Sequence, residues 1–316
     1  MAQRVADLQA LARTDASVAP LALLQAVALE AADDPAWVAG SAAIVGAPGL
    51  ASGSAQDGRA PRTADDDVPL LDGQTLSVDA EHQRALLRRL AATLAASGSQ
   101  KSTALATLFA SPDFAPLALL AASLTHDIAA IETLAAQAGL DAAVLAVVAH
   151  TASLPVLLAF GHRAAPTIEA WSWQHGYCPL CAAWPTLAEV RGLARDFVLR
   201  CGRCASGWRL VQRGCVFCGR QDQQAQGYFA AELERETRRA AVCDGCHGYL
   251  KTIATLGPLS AADLLLSDLQ SLELDVAALE HGYERPDGLR WALHVQVEAA
   301  STLSGRGDGG WRRFWR

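Results

Sequence analysis

The chain has 316 residues, of which 51% are hydrophobic and 6% aromatic, and its formal net charge at pH 7 is −7. This length allows one large domain or two smaller ones with a substantial core, and the abundance of alanine favours helices over sheets. The acidic balance gives no overall indication of binding to nucleic acid or to an anionic membrane.

The N-terminal region predicts a helix followed by a long connection. We expect no signal peptide, because the first twenty residues carry four charges and no uninterrupted apolar stretch. A first helix is predicted over about residues 17–31. About residues 44–73 are rich in Gly, Pro, Ser and Asp and lack apolar periodicity, which predicts a mobile loop.

A well-formed helix is predicted after this loop. Asp79 can cap its N-terminus and Gly98 can end it. Leucines recur on one face at helical spacing, at positions Leu86, Leu87, Leu90 and Leu94. Two further helical runs are predicted over about residues 114–138 and 141–160, with the turn Ala-Gly-Leu-Asp between them.

Residues 142–162 carry no fixed charge and are long enough to span a bilayer. The polar residues His150, Thr151 and Ser153 and the central Pro155 argue against a span. We interpret the segment as a core helix broken near Pro155 and expect a cytoplasmic protein without a membrane span.

The composition of the sequence changes at about residue 171, where aromatic residues become frequent. All eight cysteines follow, and each belongs to a Cys-x-x-Cys pair: Cys178 and Cys181, Cys201 and Cys204, Cys215 and Cys218, Cys243 and Cys246. One such pair supplies half of a tetrahedral thiolate site. Four pairs therefore predict two mononuclear four-cysteine metal sites, holding iron or zinc.

Other uses of these cysteines fit the sequence less well. Disulfides require an oxidising compartment, and a thioredoxin-like use of Cys201 and Cys204 would leave three pairs unexplained. Iron–sulfur clusters use four thiolates, usually with less regular spacing. Sequential grouping of the pairs along the chain is preferred over an interleaved arrangement, which stays open.

The segments around the pairs predict short strands and tight turns. Residues 195–201 and 207–215 alternate apolar and polar side chains, as hairpin strands do. Gly219 suits a left-handed turn after the third pair, whereas Ala182 and Ala205 occupy the equivalent positions less comfortably.

The fold class that follows is mainly α with small β. The predicted units are a helical domain, two four-cysteine ribbons, a helical C-terminal segment in which Ser260 and Asp263 form a capping box, and a tail whose last residues, 304–316, look disordered and whose order is otherwise left open. Their boundaries are 1–170, 171–211, 212–258, 259–286 and 287–316.

A closed four-thiolate site has no open coordination position, so it is structural or electron-transferring rather than hydrolytic. His175 and His247 lie next to pairs, and we interpret them as neighbours of the metals rather than ligands. No Gly-rich phosphate loop, Gly-x-Ser-x-Gly or His-Glu-x-x-His motif is present. We therefore predict no catalytic residues and no enzymatic activity.

Zinc ribbons often bind nucleic acid, which makes the charge of this region relevant. Residues 178–250 contain ten arginines and seven acidic residues. Eight thiolates outweigh the charge of two divalent ions, so the metal-loaded region would be close to neutral. A phosphate-binding surface usually has a clear basic excess, so no nucleic-acid partner is expected.

Residues 171–286 resemble the FdhE-type accessory proteins of respiratory formate dehydrogenase. The resemblance rests on the four pairs, on Trp208 after the second pair, and on an acid-and-leucine helix that ends at Gly282 and Tyr283. It also rests on a Cys-x-x-Cys-x-x-Tyr-Leu-Lys stretch formed by Cys243, Cys246, Tyr249, Leu250 and Lys251. The segment after Pro286 and the absence of a glycine after Cys181 depart from the family pattern.

The resemblance implies a helical domain carrying two rubredoxin-like metal modules and a cytoplasmic, non-catalytic role. It implies binding to the catalytic subunit of a molybdenum- or tungsten-dependent formate dehydrogenase during assembly. Trp208, Tyr249 and Lys251 would pack the ribbons or contact that partner. The alternatives are a zinc-ribbon nucleic-acid-binding or regulatory protein and a rubredoxin-like electron carrier.

Overall fold

The computed structural model of the chain describes residues 2–34, 37, 68–97, 102–171, 173–210, 214–234 and 236–300. The helices in these ranges are α1 Ala2–Thr14, α2 Ala19–Ala32, α3 Ala80–Ala96, α4 Ser102–Ala110, α5 Pro116–Thr125, α6 Ile128–Ala138, α7 Ala142–Ala170, α8 Ala261–Leu269 and α9 Leu272–Glu280. The strands are β1 Thr75–Val78, β2 Leu187–Arg191, β3 Asp196–Arg200, β4 Gly207–Trp208, β5 Gln226–Phe229, β6 Arg238–Cys243, β7 Gly248–Thr255 and β8 Gln296–Ala299.

The N-terminal half is helical, and α7 lies at its centre, in contact with α2, α3, α5 and α6. Helix α3 begins as predicted, because the Asp79 carboxylate accepts hydrogen bonds from the backbone N–H groups of Glu81 and His82. Its four predicted core leucines are all buried. Gly98, the predicted helix end, lies outside the described residues.

The helix pattern differs from the prediction at two places. The predicted run over about 114–138 is two helices, because His126 adopts a left-handed conformation with φ of 56° that ends α5. Helix α7, in contrast, continues through both Pro155 and Pro166 for 29 residues. Burial of Leu154, Val156 and Leu157 around the first proline holds the helix together where a backbone hydrogen bond is lost.

Helix α7 is long and apolar enough to cross a membrane by length and composition. Two thirds (67%) of the most apolar 18-residue stretch of this helix is buried inside the protein. This burial is typical of a core helix, because a membrane span would turn much of that surface to lipid.

The C-terminal half contains one six-stranded sheet with strand order β4-β3-β2-β7-β6-β5. Strands β2 and β7 pair in parallel, with Leu187 opposite Lys251, and the other neighbouring strands are antiparallel. The two four-cysteine ribbons, predicted as separate units, therefore share a sheet. The fold is mixed helical and sheet: helices predominate over strands as expected, and the strands of the two ribbons form one sheet.

The predicted loop and tail are partly structured and meet at the first cysteine pair. The backbone N–H groups of Leu70 and Leu71 donate to the carbonyls of Pro179 and Leu180. From the other end of the chain, β8 pairs in parallel with β1. The assignment of residues 68–73 to a mobile loop is thus wrong, and residues 287–300, whose order the sequence left open, are structured. Residues 44–67 and 301–316 lie outside the described residues.

Candidate metal centres

The eight cysteine sulfurs form two groups, and within each group all sulfurs lie within 4.8 Å of one another. The first centre is Cys178, Cys181, Cys201 and Cys204, and the second is Cys215, Cys218, Cys243 and Cys246. This is the sequential grouping that was preferred from the sequence. The structure brings all eight predicted ligands together.

The distances between sulfurs test whether a metal ion fits. In the first centre Cys178 and Cys204 are 3.5 Å apart and Cys181 and Cys204 are 3.7 Å apart. In the second, Cys218 and Cys243 are 3.9 Å apart. A tetrahedral ion with bonds of about 2.3 Å to sulfur requires sulfurs about 3.8 Å apart. Both centres have the chemistry and dimensions of a tetrathiolate metal site.

The backbone around each pair repeats one tight turn. In three of the pairs the N–H of the residue after the second cysteine donates to the carbonyl of the first, at 2.8–3.0 Å. The residue after the second cysteine has a positive φ in all four pairs: 60° at Ala182, 55° at Ala205, 72° at Gly219 and 53° at His247. The turn therefore requires a left-handed residue, and only one of the four positions has the glycine that favours it.

The first centre is inside the protein. None of its four cysteines is more than 2% exposed, and all four belong to the main hydrophobic core. Helix α7 packs directly on it, since a Cβ added to Gly161 would lie 2.9 Å from the carbonyl oxygen of Cys204. A metal in this centre would thus join the helical half to the sheet.

Burial also shapes the charge of the first centre. Desolvation raises the pKa of the Cys178 and Cys204 thiols, whereas neighbouring thiols and Arg203 lower the pKa of Cys181. Four thiolates at this depth need compensation from a cation. A divalent or trivalent metal supplies that compensation, which the thiols alone do not.

The sequence pattern indicates no role for Arg203, although this residue lies between the predicted ligands Cys201 and Cys204. Its Nη2 donates to the carbonyl of Ser123 at 2.7 Å, at the C-terminal end of α5. The same carbonyl accepts from the backbone N–H of His126 at 3.2 Å, so the guanidinium adds a second donor at the C-terminal end of the helix, where positive charge is favourable. Arg203 therefore connects the first centre to the helical half, a role that only the tertiary structure reveals.

The second centre is at the surface. Cys218 and Cys246 are exposed, Cys215 is half-buried and Cys243 is buried. Burial raises the pKa of Cys215. Burial opposes ionisation of Cys218 as well, but the backbone N–H of Arg220 and the neighbouring thiols lower its pKa below the ordinary value. The exposed Cys218 thiol is therefore more acidic than the half-buried Cys215 thiol.

A cavity of about 340 Å³ lies beside the second centre. Aromatic side chains line it, among them Tyr177, Trp184 and Phe217, and Cys215 of the second centre contributes to its wall. The backbone at Gly176 lies very close to that at Val216, because a Cβ on Gly176 would lie 1.9 Å from the carbonyl oxygen of Val216. Glycine at position 176 is therefore required for the segment after α7 to pack on the second centre.

The three predicted partner-contact residues are all buried. Trp208 is 3% exposed and its indole N–H donates to the carbonyl of His175 at 3.1 Å. The Tyr249 hydroxyl donates to Asp275 Oδ1 at 2.8 Å, and burial raises the pKa of this tyrosine to about 12. These contacts belong to the interior of the chain, and a direct partner contact of these residues stays an unsupported prediction.

Lys251 is at the centre of a buried ionic network. Its ammonium lies 2.6 Å from Asp268 and 2.7 Å from Asp275, and Arg285 binds the second of these carboxylates at 3.0 Å. The network joins β7 to α8, α9 and the segment after α9. The sequence pattern did not indicate Asp268, Asp275 or Arg285, because charged residues on a helix are usually assigned to solvent.

Comparison with known proteins identifies this region. The family model described as FdhE, C-terminal domain, matches residues 213–289, which include the second centre and α9. The resemblance expected from the sequence is confirmed by this match and by several curated relatives named as FdhE homologs.

Three such relatives align with part of the chain. The homolog from Aquifex aeolicus is 29% identical over 134 residues, which are 41% of this chain and 45% of the relative. The homolog from Pseudomonas aeruginosa is 34% identical, with 34% and 37% covered, and the one from Pasteurella multocida is 30% identical, with 39% of each covered. The aligned part spans less than half of each relative.

The fold of the whole chain also has a counterpart among solved structures. The crystal structure of the FdhE protein from Pseudomonas aeruginosa superposes with a TM-score of 0.55 at 23% identity. The superposition covers 92% of this chain and 94% of that protein. The two chains share a fold over nearly their full lengths.

Proposed function

We propose that this chain is a cytoplasmic accessory protein that binds the catalytic subunit of a molybdenum- or tungsten-dependent respiratory formate dehydrogenase during its assembly. The observation that carries the proposal is the pair of four-cysteine centres in a chain whose residues 213–289 match the FdhE C-terminal domain. The shared fold with an FdhE protein supports it.

In this proposal the centres hold two mononuclear ions, iron or zinc, and neither is catalytic. Four thiolates saturate a tetrahedral ion, which leaves no position for water or substrate. The ligands of each centre come from the turns at one end of the shared sheet, so that a bound ion fixes those turns relative to one another. The chain's own residues thereby present a rigid, metal-dependent surface.

The test is affinity purification of the tagged chain from its native host under low oxygen, with nuclease treatment and identification of bound proteins by mass spectrometry. We expect enrichment of a formate dehydrogenase catalytic subunit. The double variant Cys218→Ser/Cys246→Ser should lose it, whereas a Val147→Asp variant on the exposed side of α7 should retain it. Recovery of no dehydrogenase from cells that are making the enzyme would overturn the proposal.

A second candidate function is electron transfer, and the exposure of Cys218 and Cys246 favours it. A surface thiolate centre can exchange electrons if it binds iron, whereas zinc has no accessible redox change. Metal analysis of the purified protein together with a reversible change in visible absorbance on reduction would support this function. Zinc in the second centre would eliminate it.

A further inference from the structure

Helix α9 exposes an apolar stripe to solvent. Leu272, Val276 and Leu279 are 37%, 47% and 54% exposed, and they recur at spacings of four and three residues. Residues at this spacing lie on one side of a helix. The opposite side is occupied, because Leu274, Asp275 and Ala278 are buried against the sheet. The three exposed side chains are therefore not needed for packing within the chain.

Two acidic residues flank these apolar side chains. Glu273 and Glu280 are exposed on α9, and each follows an exposed leucine of the stripe in the sequence. We define the α9 face as the three apolar residues with these two acids: Leu272, Val276, Leu279, Glu273 and Glu280. It combines a row of apolar side chains two helical turns long with negative charge beside it.

We propose that the α9 face binds an amphipathic helix of a partner protein, with leucine-like residues on one side and lysine or arginine along the edges. Helices bind apolar surfaces through residues spaced three and four apart, which is the spacing that α9 offers. Basic residues on the partner would meet the bordering acids, which strengthens attraction and fixes orientation.

Two other occupants fit less well. In a symmetric contact between two copies of this chain, the same face would meet itself and the bordering acids would oppose acids. A membrane with anionic lipids would repel those acids. The chemistry of the face therefore favours a basic amphipathic segment. In identifying its owner as the dehydrogenase catalytic subunit, the inference rests on the proposed function.

A peptide experiment tests the chemistry of the face without the dehydrogenase. The probe is a synthetic 18-residue helix with leucine on one side and lysine on the other, and its counterpart has glutamate in place of lysine. Binding to the metal-loaded full-length protein is measured by fluorescence anisotropy. We expect the lysine peptide to bind, more weakly as salt increases, and the glutamate peptide to bind at least tenfold more weakly.

The variants locate the binding. Val276→Asp/Leu279→Asp should weaken the lysine peptide at least tenfold, whereas Val147→Asp, which changes a valine of similar exposure (43%) on α7, should not. Glu273→Lys/Glu280→Lys leaves the apolar stripe intact and should reverse the preference between the peptides. The inference would be overturned if Val276→Asp/Leu279→Asp and Val147→Asp bound the lysine peptide equally well. It would also be overturned if the charge-reversed variant still preferred the lysine peptide over the glutamate peptide. Metal content and circular dichroism show that the variants are folded.

The purification from the native host then separates the inference from the proposed function. Loss of the subunit with Val276→Asp/Leu279→Asp, but not with Val147→Asp, would support the α9 face as the docking site. Recovery by all variants would overturn that site and leave the accessory function intact. Recovery by none, including the wild-type chain, would overturn the accessory function, and the peptide measurement then decides the chemistry of the face. A dimer of the wild-type chain that Val276→Asp/Leu279→Asp dissociates would overturn the inference in favour of self-association.

Discussion

Lys251 and Asp275 form an ion pair of 2.7 Å in which the lysine side chain has no exposed surface and the aspartate side chain is 6% exposed. Replacing one member of a buried ion pair leaves the other charge without full compensation, which typically costs about 3–5 kcal/mol. Lys251→Met should therefore lower the free energy of unfolding by about 3 kcal/mol. Denaturant unfolding of the metal-loaded protein measures this.

The control for this prediction is a double variant. Lys251→Met/Asp275→Leu removes both charges and should cost less than the sum of the two single changes, because residues in one network are coupled. If Lys251→Met leaves the unfolding free energy unchanged, the buried ion pair does not contribute to stability and the prediction is wrong.

At the left-handed positions after the cysteine pairs, replacing alanine by glycine and replacing glycine by alanine should change the free energy of unfolding in opposite directions. A left-handed conformation costs a residue with a side chain about 1–2 kcal/mol, of which the greater flexibility of glycine offsets about 0.5–1 kcal/mol. Ala205→Gly should therefore raise the free energy of unfolding by about 0.5–1 kcal/mol, and Gly219→Ala should lower it by a similar amount.

The two variants control for each other, because both lie one residue after a cysteine pair. No atom lies within 4 Å of a Cβ placed on Gly219, so its replacement introduces no steric conflict besides the backbone strain. Thermal unfolding of the metal-loaded variants measures both shifts. Shifts of the same sign would show that the backbone conformation is not their cause.

The difference in burial between the two centres predicts the order of metal loss. A chelator reaches the exposed Cys218 and Cys246 directly, whereas the first centre opens only when the core unfolds. Incubation of the native protein with a chromogenic chelator should release one metal per chain quickly and the second only on addition of denaturant.

Variants assign the two phases. Cys218→Ser/Cys246→Ser should abolish the fast phase and retain a folded protein with one metal. Cys178→Ser/Cys201→Ser should give a poorly folded protein, because these sulfurs lie in the main core. Simultaneous release of both metals from the native wild-type protein would contradict this order.

The histidine pair between α5 and α7 predicts acid sensitivity. His150 stacks on His126 at 5.2 Å, and Ser123 Oγ lies 3.0 Å from its Nδ1. Burial, with smaller effects of Arg203 and His126, lowers the pKa of His150 to about 4, while Asp287 opposes the shift. In an unfolded chain the pKa of histidine is about 6.5.

The sign of the pH effect follows from proton binding. Between pH 6.5 and 4 the unfolded chain binds a proton at His150 that the folded protein excludes, so the stabilisation is present above pH 6.5 and is lost as the pH falls toward 4. The loss amounts to up to about 3 kcal/mol relative to His150→Gln, which does not titrate. Denaturant unfolding at several pH values gives the free energy of unfolding of the wild-type protein and of His150→Gln. If the two free energies changed in parallel from pH 4 to 7, the prediction would be wrong.

Local features of the fold were predictable from the sequence. The carboxylate of Asp79 and the hydroxyl of Ser260 cap their helices as expected, because a cap needs only residues within one turn. The cysteine pairs likewise indicated their own turns. Their grouping into two centres could be preferred from spacing alone, since ligands of one centre come from neighbouring pairs.

Long-range features were not predictable. Leu187 and Lys251 pair in parallel across 64 positions, and no local pattern indicates which strands become neighbours. Pro155 was expected to break a helix, but packing on several sides maintains it. Arg203 and Asp275 carry charges that tertiary contacts compensate, and such contacts leave no periodic signature in the sequence.

The parallel pairing of β1 with β8 sets an order of events during synthesis. Residues 75–78 pair with residues 296–299, so this pair cannot form until residue 299 has left the ribosome. Segments next to both strands bind the first cysteine pair, through Leu70 on one side and Arg290, whose backbone N–H donates to the carbonyl of Ala182, on the other. An ion in the first centre is therefore enclosed once the segments at residues 70 and 290 bind the first cysteine pair, whereas the second centre keeps two exposed cysteines in the folded protein.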